Sequence, residues 1–147
     1  MAIEGMLGQA RPDAIDLVSA FVARGFARCH QRRCKEGLSD AEHAVDMVRA
    51  LVQPNSVAAA VSWRALGYME WKTGDVAGAD EKMRRALQIL SEKSDLPYPV
   101  LLNARIVARG QYQQFLTETH RKAEARQLGD EIAVLRESRR RCAVIAL

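Results

Sequence analysis

The chain has 147 residues, of which 48% are hydrophobic and 27% are charged, a balance that is typical of one globular domain and excludes a disordered chain. Its 22 Lys and Arg residues against 18 Asp and Glu residues give a formal charge of +4. This charge permits an acidic partner but is not the concentrated basic face that nucleic-acid binding usually requires. The sequence shows neither an apolar run of roughly 18 residues nor a basic segment followed by a long apolar run, so we expect no membrane partner and no secretory signal.

The first two predicted helices are separated by the segment KEGL, residues 35–38. Pro12 suits the first turn of a helix, in which apolar residues then recur at helical spacing. After KEGL, Ser39 and Asp40 predict an N-terminal cap for a second helix over residues 41–52.

Four more helices follow along the chain. They cover about residues 57–72, 76–90, 100–118 and 122–139. In the turn between the first two of these, Gly74 suits a left-handed C-cap and Asp75 suits the cap of the helix after it. Since no segment alternates as a strand does, the sequence predicts an all-α fold of six main helices.

The three cysteines indicate a reducing environment. Their number is odd, and Cys29 and Cys34 lie five residues apart within a helical pattern, so we expect no disulfide framework and a cytoplasmic location. The spacing of these cysteines from His30 and His43 matches no zinc-site pattern, and core cysteines beside a surface histidine are the expected arrangement. A Cys–His nucleophile would need an orienting group and an oxyanion donor, and the phosphate-binding glycine motifs are absent. We therefore expect no enzyme, no metal and no cofactor.

The six helices form three pairs, each with an alanine in a similar setting of its second helix. These alanines are Ala41, Ala79 and Ala125, spaced 38 and 46 residues apart. A small side chain at such a position lets the two helices of a hairpin approach closely, and Gly67 would do the same from the first helix of the middle pair. The spacing predicts three stacked helix-turn-helix units.

Residues 60–93 resemble a tetratricopeptide repeat (TPR), whose motif is W-x2-L-G-x2-Y, then A-x3-F, then P, over about 34 residues. Glu70 stands where the motif has Tyr, and Met83 replaces the second aromatic. The matching residues are Trp63, Leu66, Gly67, Ala79 and Ala86, with Gly74 at the turn. These motif residues are expected to pack between helices.

The joint between repeats is similar to that of the kinesin-light-chain-like branch, which has a period of about 42 residues. The residues that carry this likeness are Pro97, Pro99, Leu102 and Asn103. The resemblance implies a right-handed superhelical stack of about three TPR-like hairpins, an α-solenoid. It implies a single domain over residues 1–147, in which the first repeat is the weakest match. The repeats would cover about residues 13–52, 54–92 and 97–138, followed by a basic and apolar tail over residues 139–147.

In this family the first helix of each pair lines a concave groove, so the resemblance implies binding of a peptide segment or a partner protein. Aromatic and basic side chains in two repeats suit a peptide with an acidic segment. The alternative is that Tyr68 and Trp71 are buried against the neighbouring hairpin and that the arginines are merely solvated. The groove residues would be Phe26, His30 and Arg33 in the first repeat, Arg64, Tyr68, Trp71 and Lys72 in the second, and Gln114, Thr117 and Glu118 in the third.

The end of the chain leaves two further hypotheses open. The basic run RESRRRC, residues 136–142, is typical of a solvated helix end but could contact nucleic acid or an acidic partner. The apolar segment AVIAL, residues 143–147, could pack on the last hairpin or form an oligomer contact. We therefore expect a protein–protein interaction module, with a nucleic-acid-binding accessory protein or a homodimeric scaffold as the alternatives.

Overall fold

The computed structural model describes residues 12–51, 54–92 and 98–145, and this part of the chain forms six helices and no strand. The predicted all-α class is confirmed for these residues. No helix among them combines the length and the apolarity that crossing a bilayer would require. In chain order the helices are α1 (Pro12–His30), α2 (Cys34–Leu51), α3 (Val57–Thr73), α4 (Val76–Glu92), α5 (Tyr98–Glu118) and α6 (Lys122–Ile145).

The chain divides into two compact units, residues 1–89 and residues 90–147. The first unit holds α1, α2, α3 and most of α4 around a core of apolar side chains. The second unit packs α5 against α6 through Leu102, Ile106 and Ile132. The main core residues of the first unit are Val18, Val22, Val45, Val48, Trp63, Met69 and Met83.

Capping residues that can be recognised in the sequence set both ends of α3 and the start of α4. Ser56 caps α3, since its hydroxyl accepts a hydrogen bond from the Ala59 N–H at 3.1 Å. Gly74 ends α3 with a φ of 101°, the left-handed conformation that glycine adopts without a Cβ clash. Asp75 then caps α4, because its Oδ1 accepts from the Gly78 N–H at 2.9 Å. The predicted roles of Gly74 and Asp75 are confirmed.

The same hairpin has the close helix crossing that its small residues predict. A Cβ added to Gly67 would lie 2.9 Å from Met83 Cγ and 3.1 Å from the carbonyl oxygen of Ala79. Ala79 is itself fully buried. The remaining motif residues, Trp63, Leu66 and Ala86, are also buried.

The predicted start of the second helix is wrong. Helix α2 begins at Cys34, so Ser39 and Asp40 lie inside it rather than at its cap. Asp40 is only 2% exposed and is paired across the hairpin with α1. Its carboxylate accepts from Arg24 Nη2 at 2.7 Å and from Arg28 Nη1 at 3.0 Å. The partners of Asp40 are therefore two arginines of α1 and not the backbone of a helix terminus.

Gly37, in the segment that was expected to interrupt the helical pattern, is buried where α1 crosses α2. A Cβ on Gly37 would lie 2.6 Å from the carbonyl oxygen of Gly25 and 3.1 Å from the sulfur of Met69. The glycine is thus required by the approach of two backbones and does not end a helix.

The prediction that the first two cysteines are unpaired is also wrong. Arg32, in the turn after α1, has a φ of 64°, so the chain reverses direction there instead of continuing as one helix. The reversal brings Cys29 beside Cys34, and the two form a disulfide. Among the described residues, Cys142 is the free cysteine.

Helix α6 continues six residues beyond its predicted end, from Arg139 to Ile145. Val144 and Ile145 are 71% and 86% exposed, so the described part of the apolar tail does not pack on the last hairpin. The predicted start of the third repeat at residue 97 and the last two residues of the tail, 146–147, lie outside the described residues.

Candidate functional site

Three aromatic rings from α1 and α3 form a half-buried cluster in the first unit. The ring centroids of Phe26 and Tyr68 are 5.1 Å apart, with 48° between their planes. Tyr68 and Trp71 meet edge to face, with centroids 5.9 Å apart. Both separations lie in the range in which aromatic pairs attract each other beyond their buried area.

Two cations flank the rings. The guanidinium carbon of Arg64 lies 5.3 Å from the ring centroid of Phe26. At the other end, the Lys72 Nζ lies 3.7 Å from the centroid of Trp71 and 5.4 Å from that of Tyr68. These distances fit cation–π contacts. We call the five residues Phe26, Arg64, Tyr68, Trp71 and Lys72 the aromatic face.

Helical spacing explains why α3 supplies four members of the aromatic face. Residues 64, 68, 71 and 72 follow the i, i+4, i+7, i+8 pattern of one helix stripe. Most of the other positions in the middle of α3 are buried. Burial also lowers the pKa of the Arg64 guanidinium, which nevertheless stays protonated at neutral pH, as arginine does in proteins.

An open depression lies at the end of the α1–α2 hairpin and shares Lys72 with the aromatic face. We call it the basic depression, because four of its lining residues are cationic and one is acidic. Arg33 and Glu36 form a paired fork across it, with 2.8 Å between Arg33 Nε and Glu36 Oε1, and this pairing lowers the pKa of Glu36. The lining residues are Cys29, Arg32, Arg33, Cys34, Lys35, Glu36, Lys72 and Thr73.

The remaining predicted residue of the first repeat, His30, is the exposed last residue of α1. The structure thus brings together Phe26 and the four predicted residues of α3 and places Arg33 in the adjoining basic depression.

The three predicted groove residues of the third repeat lie in the second unit, exposed near the end of α5. Gln114 Nε2 donates a hydrogen bond to Glu118 Oε1 at 3.2 Å. The Thr117 hydroxyl donates to the carbonyl oxygen of Gln113 at 2.8 Å. These hydrogen bonds are therefore formed within their own helix.

Sequence reasoning missed a polar pair at the α3–α4 crossing. Glu70 Oε1 lies 3.5 Å from Lys82 Nζ, whereas its Oε2 is buried with no hydrogen-bond partner among the described residues. Burial raises the pKa of Glu70, the charge of Lys82 opposes that rise, and the charge of Asp75 adds to it. The sequence feature that indicates this pair is Glu70 itself, an acidic residue at a motif position where tyrosine is usual.

The basic run near the C-terminus forms exposed turns of α6. Arg140 and Arg141 both pair with Glu137, at 3.7 Å and 3.6 Å. These two pairs are solvent-exposed, so each contributes little to stability.

The described residues contain no group of three or more His, Cys, Asp or Glu side chains that could hold a metal ion. Comparison with protein-family models, with curated proteins and with solved structures gave no match for the chain.

Proposed function

We propose that the chain is a non-enzymatic interaction module that binds a peptide segment with acidic residues on its aromatic face. The observation that carries the proposal is the cluster of three half-buried rings held between Arg64 and Lys72. Aromatic side chains and arginine are the residue types that dominate binding energy at protein interfaces.

The charge of the neighbouring surface supports an acidic partner. Lys72 belongs to both the aromatic face and the basic depression, so the cations form one continuous region with the rings. A carboxylate of the peptide would meet Lys72 or Arg64, while an apolar or aromatic side chain would contact Tyr68 and Trp71. Complementary charge of this kind accelerates association and selects against basic partners.

The TPR resemblance supports the same face. In that family the groove is lined by the first helix of each pair, and α1 and α3 are the first helices of the first two pairs. The proposed architecture is a TPR-like α-solenoid in the cytoplasm, with these helices as the peptide-binding surface.

Selection from a randomised peptide library on the immobilised chain tests the proposal. We expect the enriched peptides to combine Asp or Glu with an aromatic or large aliphatic residue. Replacing Lys72 and Arg64 together by Gln should weaken binding of an enriched peptide by about tenfold or more, because two charge-assisted contacts are lost. Fluorescence anisotropy measures the affinity, and circular dichroism checks that the helicity is unchanged.

The matched control removes the same charge elsewhere. Lys122 and Arg126 are exposed at the start of α6, and their double replacement by Gln should leave the affinity within about twofold. Equal binding by all three chains, or enrichment of peptides without acidic residues, would contradict the proposal.

A further inference from the structure

The disulfide of the first hairpin lines the basic depression, and its two sulfurs differ in exposure. Cys29 is 7% exposed near the end of α1, whereas Cys34, the first residue of α2, is half-exposed. Both line the basic depression, which is open to solvent. A reagent entering the depression therefore meets the sulfur of Cys34 more readily than that of Cys29.

The charged residues around Cys34 are cationic except for Glu36, which is paired with Arg33. The sequence neighbours of Cys34, Arg33 and Lys35, are cationic, and Arg32 and Lys72 line the same depression. Cys34 is also the first residue of α2, whose N-terminal N–H groups carry partial positive charge. Nearby cations and a helix N-terminus are the two features that favour a thiolate.

Contacts other than the disulfide also join α1 to α2. The glycine crossing of Gly25 on Gly37 and the pairing of Asp40 with Arg24 and Arg28 join α1 to α2 independently of the sulfurs. The disulfide closes a short loop, since the cysteines are only five residues apart, and short loops gain the least from closure. Both redox states are therefore compatible with a folded hairpin.

We propose that Cys29 and Cys34 form a site of reversible thiol–disulfide exchange with small cytoplasmic thiols of the glutathione class, and that Cys34 is the exchanging sulfur. In reduction, the thiolate of one small thiol attacks Cys34 Sγ, the bond to Cys29 breaks, and Cys29 leaves with the electron pair and takes up a proton. A second thiol then attacks the small-molecule sulfur of the mixed disulfide and releases Cys34. Two small thiols become one disulfide, and two electrons and two protons reach the protein.

The test uses the full chain with Cys142→Ser, which removes the third thiol. The protein is equilibrated with mixtures of reduced and oxidised glutathione, quenched with acid, alkylated and weighed by mass spectrometry. We expect the fraction with two alkylated cysteines to rise from near zero to near one across the series while circular dichroism stays unchanged. A pair that remains oxidised in reduced glutathione alone, or never oxidises in oxidised glutathione alone, would overturn the proposal.

A second measurement tests the role assigned to Cys34. In the reduced chain, peptide mapping after brief alkylation should show modification of Cys34 before Cys29. Replacing Arg32 and Lys35 by Gln should slow the alkylation of Cys34 by about threefold or more, because the thiolate loses nearby cations. Replacing Arg140 and Arg141 by Gln removes the same charge from α6 and should leave that rate unchanged. Faster modification of Cys29, or equal rates in both charge variants, would refute the assignment.

Discussion

At the scale of single residues, Gly37 permits the closest backbone approach described in the first unit. A Cβ there would lie 2.6 Å from the Gly25 carbonyl oxygen, and a backbone atom cannot move away as the end of a flexible side chain can. We expect Gly37→Ala to lower the free energy of unfolding by about 1–3 kcal/mol, the usual cost of overpacking, as measured by urea denaturation followed by circular dichroism.

Gly110 provides the matched control within a helix. A Cβ at Gly110 meets no atom within 4 Å, so Gly110→Ala changes only the helix propensity and should stabilise the chain by up to about 1 kcal/mol. The interpretation fails if the two variants change stability in the same direction.

Glu70 makes the stability of the chain depend on pH. Burial raises its pKa, so the folded chain binds more protons than the unfolded chain between the ordinary carboxyl pKa of about 4.3 and the raised value. The free energy of unfolding contributed by Glu70 is therefore greatest below pH of about 4 and falls as the pH rises through this window. Glutamine cannot ionise. We therefore expect the free energy of unfolding to fall less in Glu70→Gln than in the wild type as the pH rises from about 4 to 7.

Urea denaturation at a series of pH values measures this difference. Glu42 is exposed on α2, and Glu42→Gln is expected to follow the wild-type curve. If Glu70→Gln also follows the wild-type curve, the ionisation of Glu70 is not linked to folding.

At the scale of elements, the last part of α6 extends past the core of its unit. Ile132 is the last buried residue of α6, and residues 139–145 are exposed apart from the half-buried Cys142. We expect removal of residues 139–147 to change the free energy of unfolding by no more than about 1 kcal/mol, since exposed positions contribute little. Urea denaturation of the two chains measures the change.

The same truncated chain separates the two alternative functions. A loss of more than about 2 kcal/mol would show that the tail is packed, and sedimentation of both chains would show whether it packs in a homodimer. A salt titration with duplex DNA tests the nucleic-acid alternative, because binding through Arg139 to Arg141 would weaken steeply with salt and vanish on truncation.

The helix boundaries that could be predicted from the sequence are those set by local interactions. The ends of α3 and the start of α4 depend on Ser56, Gly74 and Asp75, whose partners lie within a few residues. The start of α2 could not be predicted in this way. The partners of Asp40 are 12 and 16 residues away on α1. Asp40 therefore resembles a helix cap in the sequence, but in the structure it forms ion pairs with two arginines.

At the scale of the whole molecule, the sequence predicts which residues share one face of a helix. It does not predict a surface that residues of several helices and a turn form together. The stripe of α3 follows from helical periodicity alone, and the resemblance places Phe26 on the same predicted groove. The basic depression cannot be predicted in this way, because it depends on the chain reversal at Arg32. That reversal brings together two cysteines that the helical pattern places along one helix.

Lys72 connects the aromatic face to the basic depression. Its ammonium group contacts the rings of the aromatic face, and the residue also lines the depression that contains the disulfide. If an acidic peptide binds the oxidised and reduced chains with different affinity, thermodynamic reciprocity requires the peptide to shift the midpoint of oxidation by the same factor. The peptide would then report the redox state of the cell, and its abundance would in turn bias the state of the two cysteines.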